Sequence, residues 1–117
     1  RKLWLPLAEQ GNQELQFRLG AMYQNGQGVP QDFKEAIKWY RISAEQGYAE
    51  TQYVLGTMYK DGQGVLQDYT LAHMWFNLCG SSGDKYCVKN RNIVEKEMTS
   101  SQIEKAQELA RNWKPKK

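Results

Sequence analysis

The feature that most constrains this chain is an internal repeat with a period of 36 residues. The segment FRLGAMY begins at Phe17, and YVLGTMY begins at Tyr53, 36 positions later. The loop GQGV follows each segment, first at 26–29 and again at 62–65. Repeats of about 20–50 residues are typical of solenoids, in which each unit buries its apolar face only against its neighbours. The chain is therefore expected to be a stack of similar supersecondary units.

Each repeat predicts two helices, A and B, joined by a glycine-rich turn. In the first repeat, apolar residues at helical spacing predict helix A over 13–24 and helix B over 33–46. The Gly-x-Gly stretch between them can adopt positive φ and end helix A. Asp32 and Asp68 precede helix B in the two repeats and are suited to be N-caps, because a carboxylate accepts bonds from free backbone N–H groups.

A glycine also recurs in the middle of helix A, at Gly20 and Gly56. Glycine inside a helix costs about 1 kcal/mol relative to alanine. Its presence in both copies predicts that a neighbouring helix approaches too closely at this point for a side chain.

The repeat divides the chain, taken as a single domain over 1–117, into four parts. A partial leading helix is expected over 1–11, complete repeats over 12–47 and 48–83, and a degenerate unit with a C-terminal capping helix over 84–117. An upstream segment is expected to have been removed or left out, because the chain starts at Arg1 without a methionine.

The degenerate unit lacks the Leu-Gly pair and the glycine turn, but it ends in a clear helix pattern. Thr99 to Gln102 spells a capping box, and a helix over about 100–113 follows it. Its apolar stripe is expected to be buried and its other side is polar, as in the terminal helix of a solenoid. The stripe comprises Ile103, Ala106, Leu109, Ala110 and Trp113.

Composition excludes some classes of protein. The net charge is only +3, and acidic residues interrupt the basic residues of the last third of the chain, so nucleic-acid binding is not expected. No apolar run reaches the length of a membrane span.

The residues common to the repeats closely resemble the Sel1-like repeat family, a relative of the tetratricopeptide repeat. The first copy carries the family pattern at Leu19, Gly20, Tyr23, Gly26, Gly28, Val29, Asp32, Ala36, Trp39, Tyr40, Ala44 and Gly47. The second copy carries it at Leu55, Gly56, Tyr59, Gly62, Gly64, Val65, Asp68, Ala72, Trp75 and Phe76. Departures from the pattern are Gln16, Ser43, Gln52 and the Cys79-Gly80 pair. The resemblance implies an all-α fold, a right-handed αα superhelix of helix-turn-helix repeats.

The resemblance also implies a function in binding rather than in catalysis. It implies a non-enzymatic adaptor that binds a protein or peptide partner, in a bacterial protein that is periplasmic or secreted rather than cytoplasmic. The alternative is a weak β-lactamase-like or other hydrolase activity, which is associated with cysteine-rich relatives. Self-association through the terminal helices is a further alternative.

By analogy with tetratricopeptide units, helix A lines the concave face, where a partner would bind. The candidate positions flank the repeat-defining residues of each helix A. They are Glu14, Phe17, Ala21, Gln24, Glu50, Tyr53, Thr57, Lys60, Tyr86 and Lys89, with Ile93 beside them. Phe17, Tyr53 and Tyr86 would be aromatic anchors among polar groups, a composition suited to peptide binding. Alternatively, Phe17 and Tyr53 simply pack between helices.

Cys79 and Cys87 are the only two cysteines. Shifted by one repeat they fall on Ser43 and Thr51, where helix B ends and the next helix A begins. A tight turn brings such positions together, so a disulfide is plausible, and it would favour an oxidising compartment. Two buried thiols are the alternative.

No catalytic, metal or cofactor site is expected. His73 is the sole histidine, and we interpret it as a partly buried packing residue. Zinc needs more ligands than two cysteines and one distant histidine supply. The serine pairs lack the base that nucleophilic catalysis requires.

Overall fold

The computed structural model describes residues 11–116. These residues contain six α-helices and no strand: α1 Gln13–Asn25, α2 Phe33–Glu45, α3 Ala49–Asp61, α4 Tyr69–Gly80, α5 Lys85–Glu95 and α6 Ser100–Asn112. The all-α fold class is confirmed, with α1, α3 and α5 as helices A and α2, α4 and α6 as helices B. The expected leading helix lies, apart from Gly11, outside the described residues. Among those described, no helix is both long and apolar enough to cross a membrane.

The helix boundaries follow the local signals. The Asp32 carboxylate accepts bonds from the backbone N–H groups of Lys34 and Glu35, both at 3.1 Å, so it caps α2. Asp68 caps α4 in the same way. Gly26 and Gly62 end α1 and α3 in the left-handed region, at φ 69° and 70°. The predicted turns and caps are therefore present in both repeats.

The two mid-helix glycines lie against aromatic rings. A Cβ atom at Gly20 would lie 2.6 Å from the Tyr40 ring, and one at Gly56 would lie 2.8 Å from the Phe76 ring. Both rings are completely buried or nearly so. Helix A therefore crosses helix B within each repeat at a distance that only glycine permits.

The apolar core runs continuously from α2 to α5. Its largest fully buried side chains include Tyr40, Leu55, Met58, Phe76 and Val94. Burial raises the pKa of Tyr40 to about 12, and its hydroxyl donates to Oε1 of Gln24 at 2.6 Å. The buried hydroxyl thus has the partner that burial of a phenol requires.

The last helix packs against α4, not simply onto the end of the stack. Of its apolar stripe only Ala106 is fully buried, whereas Ile103, Leu109, Ala110 and Trp113 are half-buried. The expectation of a buried stripe was therefore too strong, since α6 covers one helix B and leaves its flanks in solvent. Beyond α6 the chain turns back, and the Lys116 N–H donates to the Glu45 carbonyl at 2.7 Å.

A disulfide joins Cys79 at the end of α4 to Cys87 in the first turn of α5. The two Cα atoms are 5.9 Å apart, and both side chains are completely buried. The equivalent pair between α2 and α3 is Ser43 and Thr51, whose hydroxyl oxygens are 2.8 Å apart. The same junction is thus held by a buried hydrogen bond in one repeat and by a covalent bond in the next.

We predict that Gly56→Ala lowers the free energy of unfolding by about 1–3 kcal/mol, because the added methyl group overlaps the buried Phe76 ring. Urea denaturation measures the change. Gly80→Ala is the comparator, since its Cβ would meet the Val88 side chain at 3.1 Å, where a methyl group can yield. Equal stability of Gly56→Ala and the parent protein would contradict the close approach.

A second prediction concerns the disulfide. The double variant Cys79→Ser/Cys87→Thr copies the Ser43–Thr51 junction, and we expect it to lose about 2–3 kcal/mol of loop constraint. The new hydrogen bond offsets about 1 kcal/mol of that loss. Cys79→Ala/Cys87→Ala should therefore be the less stable of the two. Urea denaturation with and without dithiothreitol measures these free energies of unfolding. If the reductant leaves the stability of the parent protein unchanged, the disulfide does not stabilise the fold.

Candidate functional site

An open groove of about 400 Å³ crosses the N-terminal halves of α1, α3 and α5. We call it the helix-A groove. Its lining residues are Phe17, Glu50, Tyr53, Val54, Asp84 and Tyr86. Most of this lining is apolar side chain. The structure therefore brings four of the sequence-predicted positions, namely Phe17, Glu50, Tyr53 and Tyr86, to one concavity.

The aromatic floor of the groove rests on the core. The Phe17 ring centroid lies 5.8 Å from that of Tyr40, and the Tyr53 centroid lies 6.1 Å from that of Phe76. Both pairs are tilted, a geometry that contributes about 0.5–1.5 kcal/mol beyond area burial. Phe17 and Tyr53 are half-buried, so each packs between helices on one side and lines the groove on the other.

Tyr48 supports the floor from the turn before α3. It occupies the N-cap position but makes no side-chain cap bond, although Asn12 and Asp84 at the equivalent positions both do. Its ring instead packs against Phe17, with centroids 6.0 Å apart. A residue with a good N-cap side chain stabilises a helix by about 1 kcal/mol relative to one without. At this turn that stabilisation is absent, and the Tyr48 ring contributes aromatic packing instead.

The charged lining of the groove is acidic. Asp84 is held in place because its carboxylate accepts bonds from the backbone N–H groups of Tyr86 at 2.8 Å and Cys87 at 3.1 Å. Glu50 is exposed, and it makes no salt bridge with any residue in the described part of the chain. Glu14, in the first turn of α1, is not part of the lining and pairs with Arg18 at 2.9 Å.

The other predicted positions do not line this groove. Gln24 and Thr57 are half-buried, and their side chains bond to the protein itself, Gln24 to Tyr40 and Gln63, and Thr57 to the Tyr53 carbonyl. The remaining three are Ala21 and Lys60, which are half-buried, and Lys89, which is exposed. Ile93 is 44% exposed.

Sequence reasoning missed two lining residues, Val54 and Asp84. Val54 follows Tyr53 on α3, and the analogy that selected Tyr53 gave no reason to extend the face by one position. Asp84 entered the sequence analysis only as the first residue of the degenerate unit over 84–117. Its position in the repeat, equivalent to Asn12 and Tyr48, could have marked it as a cap beside the groove.

His73 is not part of the groove. It is completely buried, not partly buried as predicted, because it lies where α5 closes over α4. Its Nε2 lies 2.8 Å from Oε1 of Glu95, which is 22 residues away. Its buried Nδ1 has no hydrogen-bond partner within residues 11–116. Among the described residues, no group of three or more His, Cys, Asp or Glu side chains could hold a metal ion.

The contact between His73 and Glu95 allows a double-mutant cycle. We expect Glu95→Ala to lower the free energy of unfolding by about 1–3 kcal/mol, because it leaves Nε2 of His73 buried without a partner. In a His73→Leu background the same substitution should be near neutral, since the Glu95 side chain is 33% exposed and can be solvated. Urea denaturation of the four proteins measures the coupling, and additive effects would show that the pair does not interact.

Comparison with known proteins agrees with the helical-repeat fold. The family described as Sel1 repeat matches residues 13–48 and again 49–84. Among solved structures, the chain is similar to c5321, a protective antigen present in uropathogenic Escherichia coli strains that displays an SLR fold. The two are 34% identical, the TM-score is 0.90, and the match covers 96% of this chain. It is also similar to a Sel1 repeat protein from Oxalobacter formigenes, with 33% identity, a TM-score of 0.76 and 79% coverage. The chain spans only 24% and 38% of the lengths of these two proteins. The comparison with curated proteins finds no match.

Proposed function

The chain belongs to the Sel1 repeat family, and on that premise we propose that it is a non-enzymatic adaptor that binds a protein or peptide on its helix-A face. Sel1 repeats commonly mediate protein–protein contacts, and such solenoids present extended surfaces. The proposal treats residues 1–117 as a single domain with the repeat boundaries given above.

The helix-A groove carries the proposal. Its floor is aromatic and aliphatic, and Phe17 and Tyr53 are held by the buried rings behind them. Tyr86 stands at the edge and is 70% exposed. A large aromatic side chain left this exposed beside an apolar concavity is typical of a binding surface, because its burial by a partner gains free energy at little cost in conformational entropy.

The groove suits a peptide because its size and shape are preformed. Its volume of about 400 Å³ admits a few side chains of a partner segment. A rigid floor lowers the conformational cost of binding, so a short segment can gain useful affinity.

The proposed location is the periplasm or the cell exterior. The disulfide between Cys79 and Cys87 supports it, because disulfides persist in oxidising compartments. Self-association through the terminal helices stays a prediction.

The test is affinity capture from an extract of the source organism, with Tyr86→Ala compared against Leu66→Ala. Both variants remove an exposed apolar side chain, since Leu66 is 91% exposed, but only Tyr86 lines the groove. We expect Tyr86→Ala to reduce capture of the partner about tenfold or more, as loss of an interface anchor does, and Leu66→Ala to retain it.

Quantitative mass spectrometry of the captured proteins provides the measurement. If Tyr86→Ala and the parent protein capture the same proteins in equal amounts, the helix-A groove is not the binding surface. Circular dichroism of both variants controls for folding.

A further inference from the structure

We propose that the partner segment presents a cationic side chain, lysine or arginine, next to a large apolar one, and that both enter the helix-A groove. The inference rests on the proposed function and names the chemistry of the partner at that same site. It follows from a contrast between the groove and the rest of the chain.

The groove has a charge opposite to that of the chain. The chain carries a net charge of +3. The two charged residues that line the groove, Glu50 and Asp84, are nevertheless both acidic. No lysine or arginine of the described residues is among the lining. Lys85 and Lys89 are exposed on α5, outside the lining. A cation that entered the groove would therefore meet carboxylates first.

The two carboxylates differ in how they are held, and both can accept a cation. The Oδ1 atom of Asp84 receives two backbone N–H bonds, which fixes the group at the edge of the groove and leaves its second oxygen free of any hydrogen bond within the described residues. Glu50 is exposed and unpaired there, so a partner can engage it without breaking an existing ion pair. Charge-assisted bonds from lysine or arginine to such groups are the strong kind of hydrogen bond.

The ionisation of Tyr48 also responds to negative charge beside the floor. Partial burial raises the pKa of the Tyr48 phenol, and the carboxylates of Glu50 and Glu14 raise it further, against an opposing effect of Arg18. Burial is the larger cause of this shift, and the two carboxylates add negative potential beside the ring that packs on Phe17.

The apolar lining explains why the cation needs an apolar neighbour. The floor of the groove consists of Phe17, Tyr53 and Val54. A charged group placed on this apolar floor by itself would lose its hydration without gaining a polar partner. A large apolar side chain can cover this floor, and a cation beside it can reach the carboxylates or lie over the face of Tyr86. The two contacts together discriminate against an acidic or a purely polar segment.

The experiment is an NMR titration of the ¹⁵N-labelled protein with three capped peptides that differ at one position, GSWRSG, GSWQSG and GSWESG, up to millimolar concentration. We expect the arginine peptide to bind about threefold more tightly than the glutamine peptide and about tenfold more tightly than the glutamate peptide. Amide shifts should concentrate at the N-terminal ends of α3 and α5. Added salt should compress the differences.

Two matched variants separate the groove from the charge of the whole protein. Glu50→Gln/Asp84→Asn removes both carboxylates while asparagine keeps the cap of α5, and it should abolish the order among the three peptides. Glu104→Gln/Glu108→Gln removes two exposed carboxylates from α6, outside the groove, and it should leave the order unchanged.

The inference is wrong if the arginine peptide produces no shifts at millimolar concentration, if the three peptides bind equally, or if the two double variants behave alike. These results leave the proposed function intact when Tyr86→Ala still loses the captured partner. Loss of the proposed function instead shows as equal capture by Tyr86→Ala and the parent protein.

Discussion

The contact between a glycine of helix A and an aromatic ring of helix B sets the geometry on which the rest of the structure depends. Tyr40 covers Gly20, and Phe76 covers Gly56. One turn before each glycine, on the same side of the helix, lie Phe17 and Tyr53, which touch the same two rings. The close crossing that fixes each repeat therefore also fixes the floor of the helix-A groove. The Tyr40 and Phe76 rings therefore contact both the glycines of helix A and the aromatic floor of the groove.

The third helix A lacks this crossing, because Arg91 and Asn92 replace the Leu-Gly pair of the complete repeats. The disulfide from Cys79 holds α5 instead, and Cys87 is the immediate neighbour of Tyr86. Asp84, three residues before Cys87, accepts its backbone N–H and caps the helix. The covalent bond thus anchors the segment that supplies the edge of the groove. This ties the oxidised state of the two cysteines to the shape of the site.

Much of the fold was predictable because its signals act over a few residues. The caps at Asp32 and Asp68, the left-handed glycines and the capping box of α6 are each determined by neighbours within one helical turn. The site was predictable only in part. The repeat and the family analogy placed Phe17, Glu50, Tyr53 and Tyr86 on one face, but neither could show that Val54 and Asp84 complete the lining.

The sequence by itself determined the number of helices per repeat, their ends and the two places where glycine is required. The repeat is visible by comparing the two copies, and the caps and turns depend on residues within one helical turn of each other. Only the tertiary structure decided that Glu95 meets the buried His73, that α6 covers α4, and that the charged lining of the groove is acidic in a basic chain. Each of these joins residues from different helices. Their proximity follows from the angles and distances at which helices pack, which no short stretch of sequence specifies.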